Sequence, residues 1–403
     1  MDPQQPGPPS QPGPYSQPGH HPPPPPYPTG GQPPYGPPGS YPPPGGYGPP
    51  GGGYPAPGGY PPPGPHPQQW GAPPPYPAQF GYREPRTIPA PTGTPFHRLA
   101  RTAKHAWWRP VLGTLFLGAC AFFLTSAVIA GWVIVHRIVA GPFPTPQGSD
   151  IFPSDTENLA VTLVMLGVLT PSVGLAAWLI QRRPFWSVAS VLNRIRWRWL
   201  LWCCLPGVGY LVLSYAMGIL VDAIFPPQDS VGNDGGSWVG FGAFVVPALV
   251  IILFVPFQSA AEEFVFRGWL VQAIGAYGPD SPYGRARWLR VVFRTPWPGI
   301  LIGAAAFVSA HGYRGWAMAD IFLFAVMLGW LAVRTGGLEA GIALHTLNNL
   351  LAFLLPAATG RLDTWDDQGG APWTLLASDI PCLAFYAVAV LWLAKRKRVA
   401  QLS

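Results

Sequence analysis

A chain of 403 residues with 56 Pro, 49 Gly and only 10% charged residues joins two unlike regions. The formal net charge of +7 and the pI of about 9.3 suit nucleic acid. The basic residues, however, flank long apolar stretches, which excludes that partner and points to the lipid bilayer.

Residues 1–80 are Pro, Gly, Tyr, Gln and Ser, with almost no aliphatic side chains and no formal charge after Asp2 until Arg83. Such a stretch cannot bury enough apolar surface to offset its ordering entropy. It reads as a disordered tail, bounded at about 1–95, with polyproline II character in runs such as 22–26. Its tyrosines recur in Pro/Gly settings such as Pro33-Pro34-Tyr35-Gly36, without the fixed period of a solenoid. The tail is either an inert solubilising segment or a docking surface for proline-recognising or self-associating partners. No secretory leader is expected, because the first long apolar run begins near Val111. Cys120, Cys203, Cys204 and Cys382 all lie in apolar stretches without zinc-ligand spacing, and read as packing residues.

Eight apolar segments then follow: 111–135, 159–180, 199–224, 241–270, 299–314, 316–333, 338–356 and 373–394. An apolar segment of about 18 residues or more can cross a bilayer. The fourth contains Pro247 and Pro256, whose freed backbone groups neighbouring helices can satisfy. The fold expected is all-α, a polytopic transmembrane bundle of about eight helices. Its parts are 96–198 (the first helices and a basic loop), a core over 199–395 and a basic tail over 396–403.

Loop charge sets the topology. Arg98, Arg101, Lys104 and Arg109 precede the first segment, and Arg182, Arg183, Arg194, Arg196 and Arg198 follow the second. Arg285, Arg287, Arg290 and Arg294 follow the fourth, Arg334 the sixth, and Lys395, Arg396, Lys397 and Arg398 the last. The alternate loops carry Asp150, Asp155 and Glu157; Asp222, Asp229 and Asp234; and Asp363, Asp366 and Asp367, with Arg314 a minor exception. Eight crossings with both termini cytoplasmic satisfy this alternation, in what reads as a bacterial inner membrane.

Ionisable residues inside three of the segments need a use, since each charge at the bilayer centre costs roughly 2.5–3.5 kcal/mol on insertion scales. Glu263 and Arg267 are four apart, roughly 40° around a helix, and form an expected internal ion pair. Glu262, roughly 100° further round, is left as a chemically available carboxylate suited to general-base work. Phe307 and His311 repeat the spacing of four, with the aromatic above the imidazole. His345 and Asn349 repeat it again, offering a proton carrier or metal ligand beside a hydrogen-bond donor. One carboxylate and two histidines suit two mechanisms. Glu262, His311 and His345 could hold one divalent metal such as zinc that acidifies water. Alternatively, Glu262 and one histidine activate water directly while the other histidine and Asn349 stabilise an oxyanion. There is no His-Glu-x-x-His helix, and Ser309 lacks a nucleophile elbow.

These motifs, Glu262-Glu263 with Arg267, Phe307 with His311, and His345 with Asn349, resemble the CPBP family of intramembrane proteases. That family includes endopeptidases that process CAAX prenyl proteins, and bacterial relatives associated with bacteriocin processing or self-immunity. Phe266-Arg267-Gly268 and Arg334-Thr335-Gly336-Gly337-Leu338 fit its surroundings, with Gly337 standing where it often has serine. The resemblance covers about 200–395. It implies an endopeptidase acting on a peptide or membrane-associated protein, with Glu262 and His311 activating water and His345 and Asn349 supporting the oxyanion. The metal and metal-free routes both stay open. Two other readings use the same residues: a non-catalytic scaffold or immunity protein, and a proton- or ion-coupled transporter.

Overall fold

A computed structural model describes residues 85–146, 150–225, 236–365 and 369–403. The proline-rich stretch up to residue 84 lies outside the described residues, as do Asp229, Asp234, Asp366 and Asp367.

Long apolar runs fold as helices because a helix satisfies every backbone group internally. Among the described residues, seven are long and apolar enough to cross a bilayer: α1 (Trp108–Ala140), α2 (Asp155–Ile180), α3 (Trp197–Ile224), α4 (Phe241–Gly275), α7 (Gly315–Thr335), α8 (Glu339–Thr359) and α9 (Trp373–Arg396). The fifth expected segment differs. It is α6 (Trp297–Ser309), only 13 residues, following the short α5 (Arg287–Arg294) at a bend of 64°. Thirteen residues rise about 20 Å, short of a hydrocarbon core of about 30 Å. Pro296 and Pro298 at the break keep the two helices from merging. The protein is thus an all-α, multi-pass membrane bundle, with seven candidate crossings among the described residues, or eight if the bent pair counts as one.

The bundle has two unlike ends. One gathers the starts of α1, α3 and α8 and the ends of α2, α4, α7 and α9, and it is sealed by chain. The stretch 182–196 folds under the helices: Val191 N–H bonds Gly336 O at 2.9 Å and Leu338 N–H bonds Ala189 O at 3.0 Å. Residues 86–95, grouped by composition with the tail, pack here too. Arg86 lies 4.1 Å over the Trp178 ring, and Ile88 N–H bonds Arg182 O at 3.0 Å. The last residue also docks, with Gly93 N–H on Ser403 O at 2.8 Å. Proline content hid this segment, because its partners are backbone groups far away in sequence.

Arginines tie this end together. Arg101 grips both oxygens of Asp280 at 2.7 and 2.8 Å, and Arg98 adds a third contact at 3.1 Å. The hydrogen bond from Arg101 holds the Asp280 carboxyl below its usual range. Arg183 is fully buried without a carboxylate, bonding Gln181 Oε1 at 2.6 Å, Ser187 Oγ at 2.9 Å and Gln272 Oε1 at 2.5 Å. Burial pushes its pKa down to about 9. Arg183→Ala removes the donor to three buried acceptors and opens a void. A loss of about 2–4 kcal/mol is expected, read as a lower thermal midpoint in detergent; an unchanged midpoint would refute it.

His97 and His105, at the same end, sit below the ordinary histidine value of 6.5, chiefly because burial disfavours the imidazolium. The unfolded chain therefore takes up these protons more readily than the folded one. Stability from this source is full above the unfolded value and is lost as pH falls below it. The midpoint should drop between about pH 7 and about pH 5, by less once both residues are Phe.

At the opposite end Arg314 and Gly315 bridge Gly370 and Ala371, and Val239 N–H bonds Ala358 O at 3.2 Å. Helix α1 lies on the flank of α2, mostly exposed to lipid, and its Trp132 and His136 both reach Glu157 at 2.9 Å.

Candidate functional site

Glu262 ends the first α-helical stretch of the long α4; from Glu263 to Leu270 the turn widens into a π-helix before the α-helix resumes at Val271. The sequence reading assumed an unbroken α-helix; π turns of this kind recur at functional sites. The expected pair still meets, with Arg267 Nη1 3.1 Å from Glu263 Oε1 and both residues almost wholly buried. The angles make this an ion contact rather than a hydrogen bond, and the guanidinium nitrogens have no hydrogen-bond partner. What covers the cation instead is the face of Phe307, 4.0 Å away.

Glu263 Oε1 also takes a hydrogen bond of 2.9 Å from His345 Nδ1, so one buried oxygen serves two cations or donors. The other ring nitrogen, His345 Nε2, lies 3.4 Å from Glu262 Oε2. His345 therefore stands between the two adjacent glutamates. The resemblance implies that Glu262 and His311 activate water; the histidine that lies 3.4 Å from Glu262 is His345.

This approach of α8 to α4 depends on a glycine. A Cβ on Gly341 would stand 2.5 Å from Glu263 Oε2. Gly341→Val should push the helices apart at the glutamate and sharply lower any activity while α8 still forms. Gly337 is similarly confined, since its Cβ would stand 2.8 Å from that of Ser190. A serine there would have to displace the 182–196 stretch.

His311 does not lie on a helix as expected; α6 ends at Ser309 and His311 occupies the turn that follows. Its Nδ1 lies 2.8 Å from Phe307 O. A carbonyl only accepts, so Nδ1 carries the proton and Nε2 is left as an acceptor. Phe307 is buried, with its ring centroid 4.5 Å from that of His311 and 5.8 Å from that of His345. Tyr313 stacks on the outer face of His311 at 5.9 Å. Asn349 donates to Gln258 Oε1 at 3.2 Å, which leaves its second N–H free to turn.

Glu262, His311, His345 and Asn349 all line one cavity of about 650 Å³, whereas Glu263 and Arg267 sit behind its wall. Further polar side chains of the wall escaped the sequence reading, among them two acids and a glutamine. Asp379 is buried and accepts the Tyr210 hydroxyl at 2.6 Å, and Asp320 has an oxygen without a hydrogen-bond partner. The signal existed, since Asp320 and Asp379 are acids inside apolar spans. Gln258 could have been found too, one turn before Glu262 on α4.

The residues that build this cavity fall largely in one stretch, and that stretch matches a known family. Residues 243–351 fit the family model described as type II CAAX prenyl endopeptidase Rce1-like. The matched stretch spans all three motifs, from Glu262 to Asn349. The chain is also similar to the uncharacterized protein YyaK of Bacillus subtilis (strain 168), 24% identical over 299 residues, covering 71% of this chain and 92% of that protein. No solved structure matches. The matched stretch takes in most of α4 through most of α8, and α1–α3 and α9 lie outside it.

Proposed function

We propose that the protein is an intramembrane endopeptidase in which Glu262, His311, His345 and Asn349 hydrolyse a peptide bond by activating water. The observation that carries the reading is the position of His345 between Glu262 and Glu263, at the wall of a cavity large enough for a peptide segment. Glu263 supports it by balancing Arg267 and orienting the His345 ring.

In this mechanism Glu262 takes a proton from water held between it and the acceptor Nε2 of His311. The hydroxide attacks the scissile carbonyl, and negative charge develops on its oxygen. A ring flanked by two carboxylates meets both with a donor when it is doubly protonated. His345 can then turn its Nε2–H from Glu262 to that oxygen, beside the free N–H of Asn349. Glu262 returns the proton to the leaving amine.

Glu262, His311 and His345 carry the donor chemistry that zinc uses. Among the described residues, however, no group of three or more His, Cys, Asp or Glu is gathered at ligand spacing. As placed, these side chains do not fit a metal, and no step above runs through one. The membrane is read as the cell membrane with both termini cytoplasmic, and the proline-rich tail either as an inert solubilising segment or as a docking segment for proline-recognising or self-associating partners.

The test is cleavage of a peptide library by wild type and Glu262→Ala in detergent, read by mass spectrometry. Products from wild type alone support the reading. Equal turnover by both proteins would sink it.

A further inference from the structure

Another cleft, sharing no wall residue with the cavity that Glu262 borders, lies where α3 begins and α9 ends. Its volume is about 1000 Å³, and residues of the 182–196 stretch and of the chain's last turn complete its wall. Arg194, Arg198, Lys397 and Arg398 line it, and all four are exposed. Among the described residues no acid forms an ion pair with any of them. Arg196, also in the wall, is matched by Glu339, which is 1% exposed and lies outside the cleft. The cleft is therefore a concentration of cations without counter-charge, and it suits an anion.

Two further features point the same way. The 28-residue α3 begins in this wall with no side-chain cap and no acid in its first turn, so the positive end of its dipole adds to the field. Glu339 takes the N–H of Arg196 at 2.9 Å, but both its oxygens are committed to that arginine. Trp199 lines the cleft, is 5% exposed, and has an indole Nε1–H without a hydrogen-bond partner. A buried donor left unmet is costly, and an acceptor at the cleft floor supplies the missing bond. The surroundings show what else the anion carries. Trp197 and Trp202 stand in the wall, with Lys397 Nζ 3.8 Å over the Trp202 ring. Tryptophan mixed with Lys and Arg at helix ends is the pattern of the lipid headgroup layer. Further along the same helices Leu201 and Leu205 on α3, and Val388 and Trp392 on α9, are each more than half exposed. Acyl chains thus have apolar surface to lie on directly beyond the cations.

We propose that this cleft binds the headgroup of an anionic phospholipid, with its phosphate held by Arg194, Arg198, Lys397 and the indole N–H of Trp199. Unpaired cations attract a headgroup of net negative charge and repel the ammonium of a zwitterionic one, so the cleft selects by charge. The lipid belongs to the surrounding membrane and is no substrate, and its binding does not depend on the proteolytic reading. Seated there, the headgroup joins the start of α3 to Lys397 and Arg398, the segments that Arg196 also links through its bond to Ala400 O at 2.9 Å. It should steady residues 395–403 against the bundle.

The test titrates the full chain in detergent with phosphatidylglycerol, phosphatidylcholine or inorganic phosphate, and native mass spectrometry reads what stays bound. Wild type should retain phosphatidylglycerol in preference to phosphatidylcholine. An Arg194→Gln, Arg198→Gln, Lys397→Gln triple variant should bind phosphatidylglycerol about 100-fold more weakly, and each single variant about fivefold. Trp199→Phe keeps an aromatic ring but loses the donor, and should weaken binding about tenfold. Arg285→Gln, Arg287→Gln, Arg290→Gln removes as much charge outside the cleft and should bind as wild type does. Equal loss in the two triple variants, or equal retention of phosphatidylcholine by wild type, overturns the proposal. Inorganic phosphate that displaces phosphatidylglycerol at equal concentration makes this a free-anion site and overturns it too. If the cleft triple variant does not accumulate, the single variants decide, and unchanged binding in all three overturns the proposal.

Discussion

Glu262→Gln should lower peptide cleavage by about 10²–10⁴-fold and leave the thermal midpoint nearly unchanged, whereas Glu263→Gln should lower both. The two side chains are neighbours in sequence but differ in what they touch. Glu262 borders the cavity, with its Oε2 3.4 Å from His345 Nε2, so its amide analogue fits the same space with little loss of packing. Glu263 is fully buried, 3.1 Å from Arg267 and 2.9 Å from His345. Removing its charge leaves Arg267 buried with no carboxylate in contact, a cost of about 3–5 kcal/mol. Parallel measurements of turnover and of unfolding in detergent separate the two. Equal midpoints for the two variants would mean that the Glu263–Arg267 pair has no supporting role. A Glu263→Gln, Arg267→Met double variant, which removes both charges, should recover much of the lost stability but not the activity.

Much of this site was legible in the sequence for a simple reason. Charges inside apolar segments are rare enough to stand out, and a spacing of four puts two side chains on one helical face. That logic found Glu263 with Arg267, Phe307 with His311, and the residues that meet in the cavity. It failed where geometry departs from an unbroken α-helix or where contacts cross between helices. The π turn at Glu263 and the turn that carries His311 leave no mark in hydropathy. Helix packing brings His345, not His311, within 3.4 Å of Glu262, and single-helix spacing says nothing of packing. Gly341 is informative only once α4 is known to lie against it. At α6 the sequence reading took 299–314 as one crossing and Arg285 to Arg294 as the loop before it, whereas the helix has 13 residues and follows the short α5.

Loop charges were legible as topology, but their structural use was not. Arg196 read simply as one of several cytoplasmic positives. In the fold it is the clasp of the sealed end. Its Nε and Nη2 grip Glu339 at 2.8 and 2.6 Å, and its Nη1 donates to Thr335 O at 3.0 Å and Ala400 O at 2.9 Å. One guanidinium thus joins the start of α3, the end of α7, the start of α8 and the chain's last residues. Arg196→Ala should leave Glu339, 1% exposed, without its counter-charge, and lower stability by about 3–5 kcal/mol. Arg196→Lys should fall between, because an ammonium cannot reproduce the fork that holds two oxygens and two carbonyls together. The expected signature is local as well as global. Residues 395–403 should become cleavable by an added protease before the bundle unfolds, and the Glu262 site, one and a half turns or so along α8 from Glu339, should lose activity with them. If Arg196→Ala melts with wild type and its C-terminal residues stay protected, the sealed end is held by packing alone.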